Sequence, residues 1–457
     1  MERRRYMTLS KELARYVLST EYDDLPEEVV EFAKLCILDY FGCAIAGAKN
    51  APIQMIHELV QEMGGKEQAT LIPGGSSSVV NAAFVNGAAS HIVELDDIHK
   101  SSIIHAATVV IPAALAIAEW KKVSGKELIA AVVLGYEVCY RIGEAVSPSH
   151  YYYWHNTATC GTFGATVAAA KILRLSEEQM IHAIGNAGTQ AAGLWEFIED
   201  GAMTKQLHPG KAAMNGVISA LLAAKGFTGA EKILEGARGF FKAMSEEYDE
   251  SKITDRLGET FKIEENSFKI HASCRHTHHV MDLMTALSKE NPVALEKIEN
   301  ITVKTYQVAI DITDDPDPAT VYAAKFSMQF CTALSLLTGK GGLEAFHEQT
   351  LWDENIRTLM KRVNVQVDPE MDEAYPEKWG TKVEIRLTNG KVITRETDFP
   401  KGDPENPVTA KELQMKFMNL AKDLPEKERE KLVNEISKLE KLPTIAELMQ
   451  FNTSMAR

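Results

Sequence analysis

A break in patterning near residue 268 governs what this chain can fold into. From about residue 8 to residue 245 apolar residues recur at helical spacing, in segments such as Leu9–Leu18, Glu27–Ala46, Pro52–Met63, Ser78–Leu95, Val109–Val123, Glu127–Ala145 and Thr162–Leu173. After about residue 268 the pattern alternates as strands do, in Ile298–Tyr306, Val363–Val367, Lys382–Leu387 and Val392–Glu396. Thr388-Asn-Gly-Lys391 is a hairpin turn between the last two. Phe326–Leu337 and Gly342–Phe346 read as helices between these strands, and from Thr409 charged amphipathic helix returns. The expectation is a mostly α protein. A large all-helical domain is built from both chain ends, residues 1–268 plus 403–457, and an α+β lid domain, residues 269–402, is inserted into it.

Helix-entry signals mark several starts: Ser10 before Lys11-Glu12, Pro26 before Glu27-Glu28, and Ser176 before Glu177-Glu178. Asn81–Ser90 and Gly161–Ala170 are made mostly of small residues, which predicts buried helices with closely approaching backbones. Lys plus Arg is 49 against 64 Asp plus Glu, a net charge of −15, which argues against a nucleic-acid surface. None of the six cysteines forms a C-x-x-C pair, and the basic start lacks an apolar signal-peptide core. The longest apolar run, Ala106–Ala118, is too short to span a bilayer. A reduced, cytoplasmic protein without membrane or nucleic-acid partners is expected.

Eleven of the thirteen histidines fall between residues 91 and 279, in a span where four segments set titratable groups among small or apolar ones. The first is His91-Ile-Val-Glu94-Leu-Asp96-Asp97-Ile-His99, followed by His105. It admits a catalytic imidazole oriented by a carboxylate, a metal site, or a solvated helix end. The second runs from Tyr151 through His155 to Gly164 and reads either as an aromatic core patch with a satisfied histidine or as an anion site at a helix start. In the third, Lys205 and His208 precede a Pro-Gly helix start; lysine can hold a carboxylate, or simply sit on a surface loop. The fourth places Lys269, His271, Arg275, His276, His278 and His279 within eleven residues. The spacing of Cys274, His276 and His278 is weak evidence for zinc, and an anion-binding wall at the domain boundary explains the cluster better. No dinucleotide or phosphate loop, H-E-x-x-H or G-x-S-x-G motif is present.

Taken together these segments resemble the MmgE/PrpD family over nearly the whole chain. The resemblance rests on Glu94-Leu-Asp-Asp97, His105, Val110–Leu115, Thr159–Gly164, Thr204-Lys205-x-Leu-His208-Pro-Gly, Gly226–Gly229, Glu235–Phe240, Cys274–His278 and Pro400–Pro407. It implies a homodimer and cofactor-free, metal-free chemistry on a small di- or tricarboxylate. The reactions it implies are cis-aconitate decarboxylation or 2-methylcitrate dehydration, with epimerisation of a dicarboxylate such as iminodisuccinate as the alternative. The site residues it implies are Glu94, His105, His155, Lys205 and Lys269, with Asp97 a candidate to orient a histidine. His99, His208, Arg275, His276 and His278 join Lys269 as candidate substrate-binding groups. The dehydratases carry Asp-Thr-Trp where this chain has Asp97-Ile98-His99, so the sequence is closer in form to fungal-type decarboxylases.

Overall fold

The computed structural model describes residues 7–454; the basic start, residues 1–6, and the last three residues lie outside the described residues. The chain is mostly helical, with a small mixed sheet in its C-terminal part. It divides into two compact units. The first comprises Met1–Ile92, Asp96–Asn266 and Thr409–Arg457, and the second Val93–Leu95 and Ser267–Val408.

The first unit is a stack of helices: α1 (Leu9–Ser19), α2 (Glu27–Gly47), α3 (Ala51–Met63), α4 (Val79–His91), α5 (Ala107–Lys121), α6 (Gly125–Val146), α7 (Asn156–Ile172), α8 (Glu177–Gly188), the single turn α9 (Phe197–Asp200) and α10 (Thr204–Ala224). From the C-terminal end of the chain, Ala410–Leu420 and Glu426–Ser437 pack against α2. Side-chain caps set several starts. Ser124 and Glu127 form a reciprocal capping box on α6, and Ser176 and Gln179 form another on α8. On α1 the cap is Thr8, whose hydroxyl accepts from the Lys11 N–H, and Ser10, expected as the entry residue, lies buried inside the helix.

Helices α4, α5 and α7 form the centre of this unit and are buried on nearly every face, and α10 packs on them with one part-exposed face through Leu207, Met214 and Ile218. Their small residues let backbones touch. A Cβ on Gly164 would sit 2.6 Å from the Gly135 carbonyl oxygen, and one on Gly210 would collide with the carbonyl oxygen of Phe84. Among the described residues no disulfide forms, all six cysteines are buried, and no helix is long and apolar enough to cross a membrane.

The second unit is built on a four-stranded sheet of β1 (Ile298–Thr305), β2 (Val363–Val367), β3 (Thr381–Leu387) and β4 (Val392–Thr397), in the order β2-β1-β3-β4. β1 pairs parallel to β2 (Ile301 opposite Val363) and antiparallel to β3 (Val303 opposite Val383), and β3 pairs antiparallel to β4. Val383, Ile385 and Leu387 alternate inward against outward Lys382, Glu384 and Arg386, which buries one face beneath the helix His278–Glu290. Gly390 supplies the positive φ, +84°, that the hairpin between β3 and β4 requires. Met328–Thr338 is a full helix, whereas Leu343–Ala345 makes only a single 3-10 turn.

Candidate active site

Helix α4 ends on His91, four residues short of the expected end at Leu95. The chain then bends, and Asp96 returns beneath both His91 and His105. The Asp96 Oδ2 atom lies 2.7 Å from His91 Nδ1 and 3.0 Å from His105 Nδ1. His105 Nδ1 is also 2.7 Å from the main-chain oxygen of Asp97. Carboxylate and carbonyl oxygens only accept, so Nδ1 of each ring carries the hydrogen and donates it. For His105 this fixes the tautomer and directs the chemistry to Nε2. His105 keeps 8% exposure, while His91 and Asp96 keep none.

His155 caps the N-terminus of α7, which begins six residues before the expected Thr162. Its Nδ1 lies 3.1 Å from Nδ1 of His208, so one ring donates and the other accepts; the accepting ring carries its proton at Nε2. The His155 ring centroid is 5.8 Å from that of His91 and 6.5 Å from that of His105. Trp195 packs against the same imidazole with centroids 5.0 Å apart. Lys205 and His208 lie inside α10, not before it. Pro209 is tolerated because it comes early in the helix and removes only the N–H that would reach the Lys205 carbonyl. Lys205 is buried in the first turn.

Burial works against the Asp96 charge, yet the adjacent His91 and His105 hold its carboxyl well below the usual carboxylate range. Asp97 goes the other way. Complete burial pushes it up to about 7, against hydrogen bonds from the Tyr136 hydroxyl at 2.7 Å and the Ala107 N–H at 3.1 Å. Burial, then the neighbouring His208, His91 and Lys205, keeps His155 well below the ordinary imidazole value, and burial lowers His208 to about 4. Both rings of that pair are therefore neutral at physiological pH.

Within the second unit Glu94 adopts a left-handed backbone conformation, φ +59°, uncommon for a non-glycine residue. Its carboxylate lies 3.6 Å from the ammonium of Lys269 and accepts from the Tyr322 hydroxyl at 3.1 Å. Lys325 donates to the neighbouring Val93 carbonyl at 3.0 Å. Strain of this kind concentrates where geometry serves a site.

Two family models match this chain. The MmgE/PrpD N-terminal domain covers residues 11–252 and the MmgE/PrpD C-terminal domain covers residues 271–441. The chain belongs to the MmgE/PrpD family. It is 26% identical to the cis-aconitate decarboxylase of Aspergillus terreus, over 97% of this chain and 95% of that protein. It is also 26% identical to the cis-aconitate decarboxylase of Mus musculus, over 95% and 91%. Identity to the mitochondrial 2-methylcitrate dehydratase of Yarrowia lipolytica is 24%, over 86% and 79%.

In this MmgE/PrpD chain several expected binding groups are committed elsewhere. Asp97 does not orient a histidine through its carboxylate. That group accepts from Tyr136, Ala107 and Asn266, and only its main-chain oxygen meets His105. His99 stacks on Tyr140, its Nδ1 meets the Ser102 hydroxyl at 2.8 Å, and its Nε2 meets Glu265 at 3.3 Å. Arg275 is paired with Asp403 and cannot act as an uncompensated cation. His276 stacks on Trp379 and bonds the Tyr306 hydroxyl at 2.7 Å, and burial lowers it to about 3. His278 faces Arg275 at 3.0 Å, and burial holds it neutral. His271 pairs with Asp282 at 2.8 Å and burial lowers His279 to about 3, so the expected anion wall reduces to Lys269, which itself pairs with Glu94.

Two donor sets among the described residues are close enough to consider for a metal ion, His91–Asp96–His105 and His99–Glu144–Glu265. In the first, Asp96 already pairs with both imidazoles at Nδ1, and a metal ion would have to replace those two hydrogen bonds. In the second, Lys262 already occupies the carboxylates, 3.0 Å from each. Cys274, His276 and His278 do not converge as donors. The sequence names His91 and Asp96 in its first segment without assigning either a role, and gives no sign of Trp195 or Tyr322. The doubled acid at 96–97 was the available signal, but spacing cannot tell which of two adjacent carboxylates turns toward an imidazole.

Proposed function

We propose that this protein is a cofactor-free lyase that releases carbon dioxide from a small tricarboxylate of the cis-aconitate type. The observation that carries this reading is the pinned His105 ring, whose Nδ1–H is held by Asp96 and the Asp97 carbonyl. Further support comes from the decarboxylases that the chain resembles along nearly its full length.

The chemical steps need only groups of the first unit. The bond between carbon and one substrate carboxylate breaks, and that group leaves as carbon dioxide. The electron pair spreads over the adjacent double bond and a remaining carboxylate. Lys205 and the neutral imidazole pair stabilise the developing charge in surroundings largely stripped of water. His105 delivers a proton from Nε2 to carbon and takes up another from solvent, so one proton is consumed per turnover. Asp96 stabilises the imidazolium form that delivers the proton and that solvent restores afterwards. The Glu94–Lys269 pair is retained as a candidate carboxylate-handling group.

The same proton-transfer group would serve dehydration or epimerisation, so the test must separate them. Purified protein in buffer containing a chelator is incubated with cis-aconitate, citrate, 2-methylcitrate and iminodisuccinate, and followed by NMR and carbon dioxide release. Carbon dioxide from cis-aconitate, undiminished by the chelator, is expected. Water loss from 2-methylcitrate or inversion of iminodisuccinate, with no decarboxylation, would overturn the reading.

A further inference from the structure

We propose that the indole N–H of Trp195 is a binding donor for a substrate carboxylate, beside the His155 imidazole. Trp195 Nε1 is buried, and no hydrogen-bond acceptor reaches it among the described residues. A buried indole N–H ordinarily has a partner, because water is lost as an alternative and nothing replaces it. A donor left without an acceptor in the protein is explained if the acceptor arrives with the substrate.

The indole is held in place from several sides. The Trp195 main-chain N–H donates to the Tyr153 carbonyl at 3.2 Å, and the His155 N–H donates to the Gly193 carbonyl at 2.9 Å. Leu194 pairs with Trp154 as an antiparallel bridge between them. The strip 193–195 therefore runs along the strip 153–155. Tyr151 and Phe197 close on the ring with centroids 5.0 and 5.2 Å away. A donor fixed this way costs little further ordering when a ligand binds.

The surroundings select an anion. Lys205 brings positive charge that acts on both His155 and His208, while those two rings stay neutral. A tricarboxylate presents more oxygens than one ammonium can satisfy, and neutral N–H donors supply the remainder. The inference rests on the polycarboxylate reading above and deepens it by naming a group that recognises the anion.

The test uses propane-1,2,3-tricarboxylate, which lacks the double bond needed for turnover, and measures its affinity by calorimetry. Trp195→Phe keeps an aromatic ring and removes the N–H. Roughly a tenfold or greater loss of affinity is expected, as for a hydrogen bond to a charged group. KM for the turned-over substrate should rise more than kcat falls. The melting temperature without ligand is read alongside, because the smaller ring also gives up packing against Tyr151, His155 and Phe197. Trp195→His, which returns a ring N–H, should regain part of the affinity. Equal affinity in wild type and Trp195→Phe would overturn this inference and leave the lyase reading intact. So would equal losses in the Phe and His variants, which would point to packing. A wild-type protein that neither binds the tricarboxylate nor turns over any polycarboxylate would overturn the functional reading and this inference with it.

Discussion

Asp96 and Asp97 are adjacent and equally buried, yet their surroundings pull their protons in opposite directions. Two imidazoles face Asp96 and favour its charge, whereas Asp97 is shifted to about 7 by burial without a cationic partner. The folded protein therefore holds the Asp97 proton more tightly than the unfolded chain does. The stability contributed by Asp97 is complete below about pH 4 and is lost as pH rises through about 7. That of Asp96 is present above about pH 4 and lost as pH falls. Asp97→Asn removes the first titration, so its melting temperature should approach that of wild type as pH rises from 5 to 8. A gap that stays constant across that range would contradict the assignment. His105→Ala should lower kcat by about 10²–10⁴-fold, the usual range for general acid/base work. Lys205→Ala should reduce kcat/KM more than kcat. Steady-state kinetics with melting curves check both. Near-normal kcat in His105→Ala would remove the catalytic role, and an unfolded variant would make His105 a packing residue.

Helix α10 carries Lys205 and His208 in its first turns, followed at once by Pro209 and Gly210. The sequence places the helix start at the Pro-Gly pair, because proline commonly opens a helix. The structure begins the helix at Thr204, so Lys205 and the neutral His208 share a rigid segment with the residues that seat it. Gly210 lies against the Phe84 carbonyl of α4, with Ala88 Cβ also within 3.1 Å of an added Cβ. Gly210→Ala should therefore force α10 away from α4 and destabilise the protein by about 1–3 kcal/mol, the usual cost of overpacking. The same displacement should reduce kcat/KM, because Lys205 moves with its helix. Thermal unfolding and kinetics of this one variant check both expectations, and an unchanged melting temperature would count against the close approach.

At the scale of the whole molecule, the small-residue helices need no second copy of the chain to cover their small faces. α4, α5, α7 and α10 spend those faces on one another inside the first unit. The homodimer expectation rests on the family, and light scattering at micromolar concentration should return twice the mass of the chain. A clean monomer would remove it.

What the sequence determined by itself was periodic. Helical spacing located the helices of the first unit, and alternation located all four strands of the sheet together with the Asn389-Gly390 turn. Both signals are local, since they repeat every few residues and need no knowledge of the partner. The ordered motifs around Glu94, His105, Lys205 and His278 were sufficient to identify the family. Which titratable groups meet was decided only by tertiary structure. Asp96 rather than Asp97 turns to His105 because the chain bends after His91, and His276 is absorbed by Trp379 and Tyr306 from segments thirty or more residues away. Burial then sets which histidines stay neutral, and the burial of each group depends on every element packed around it.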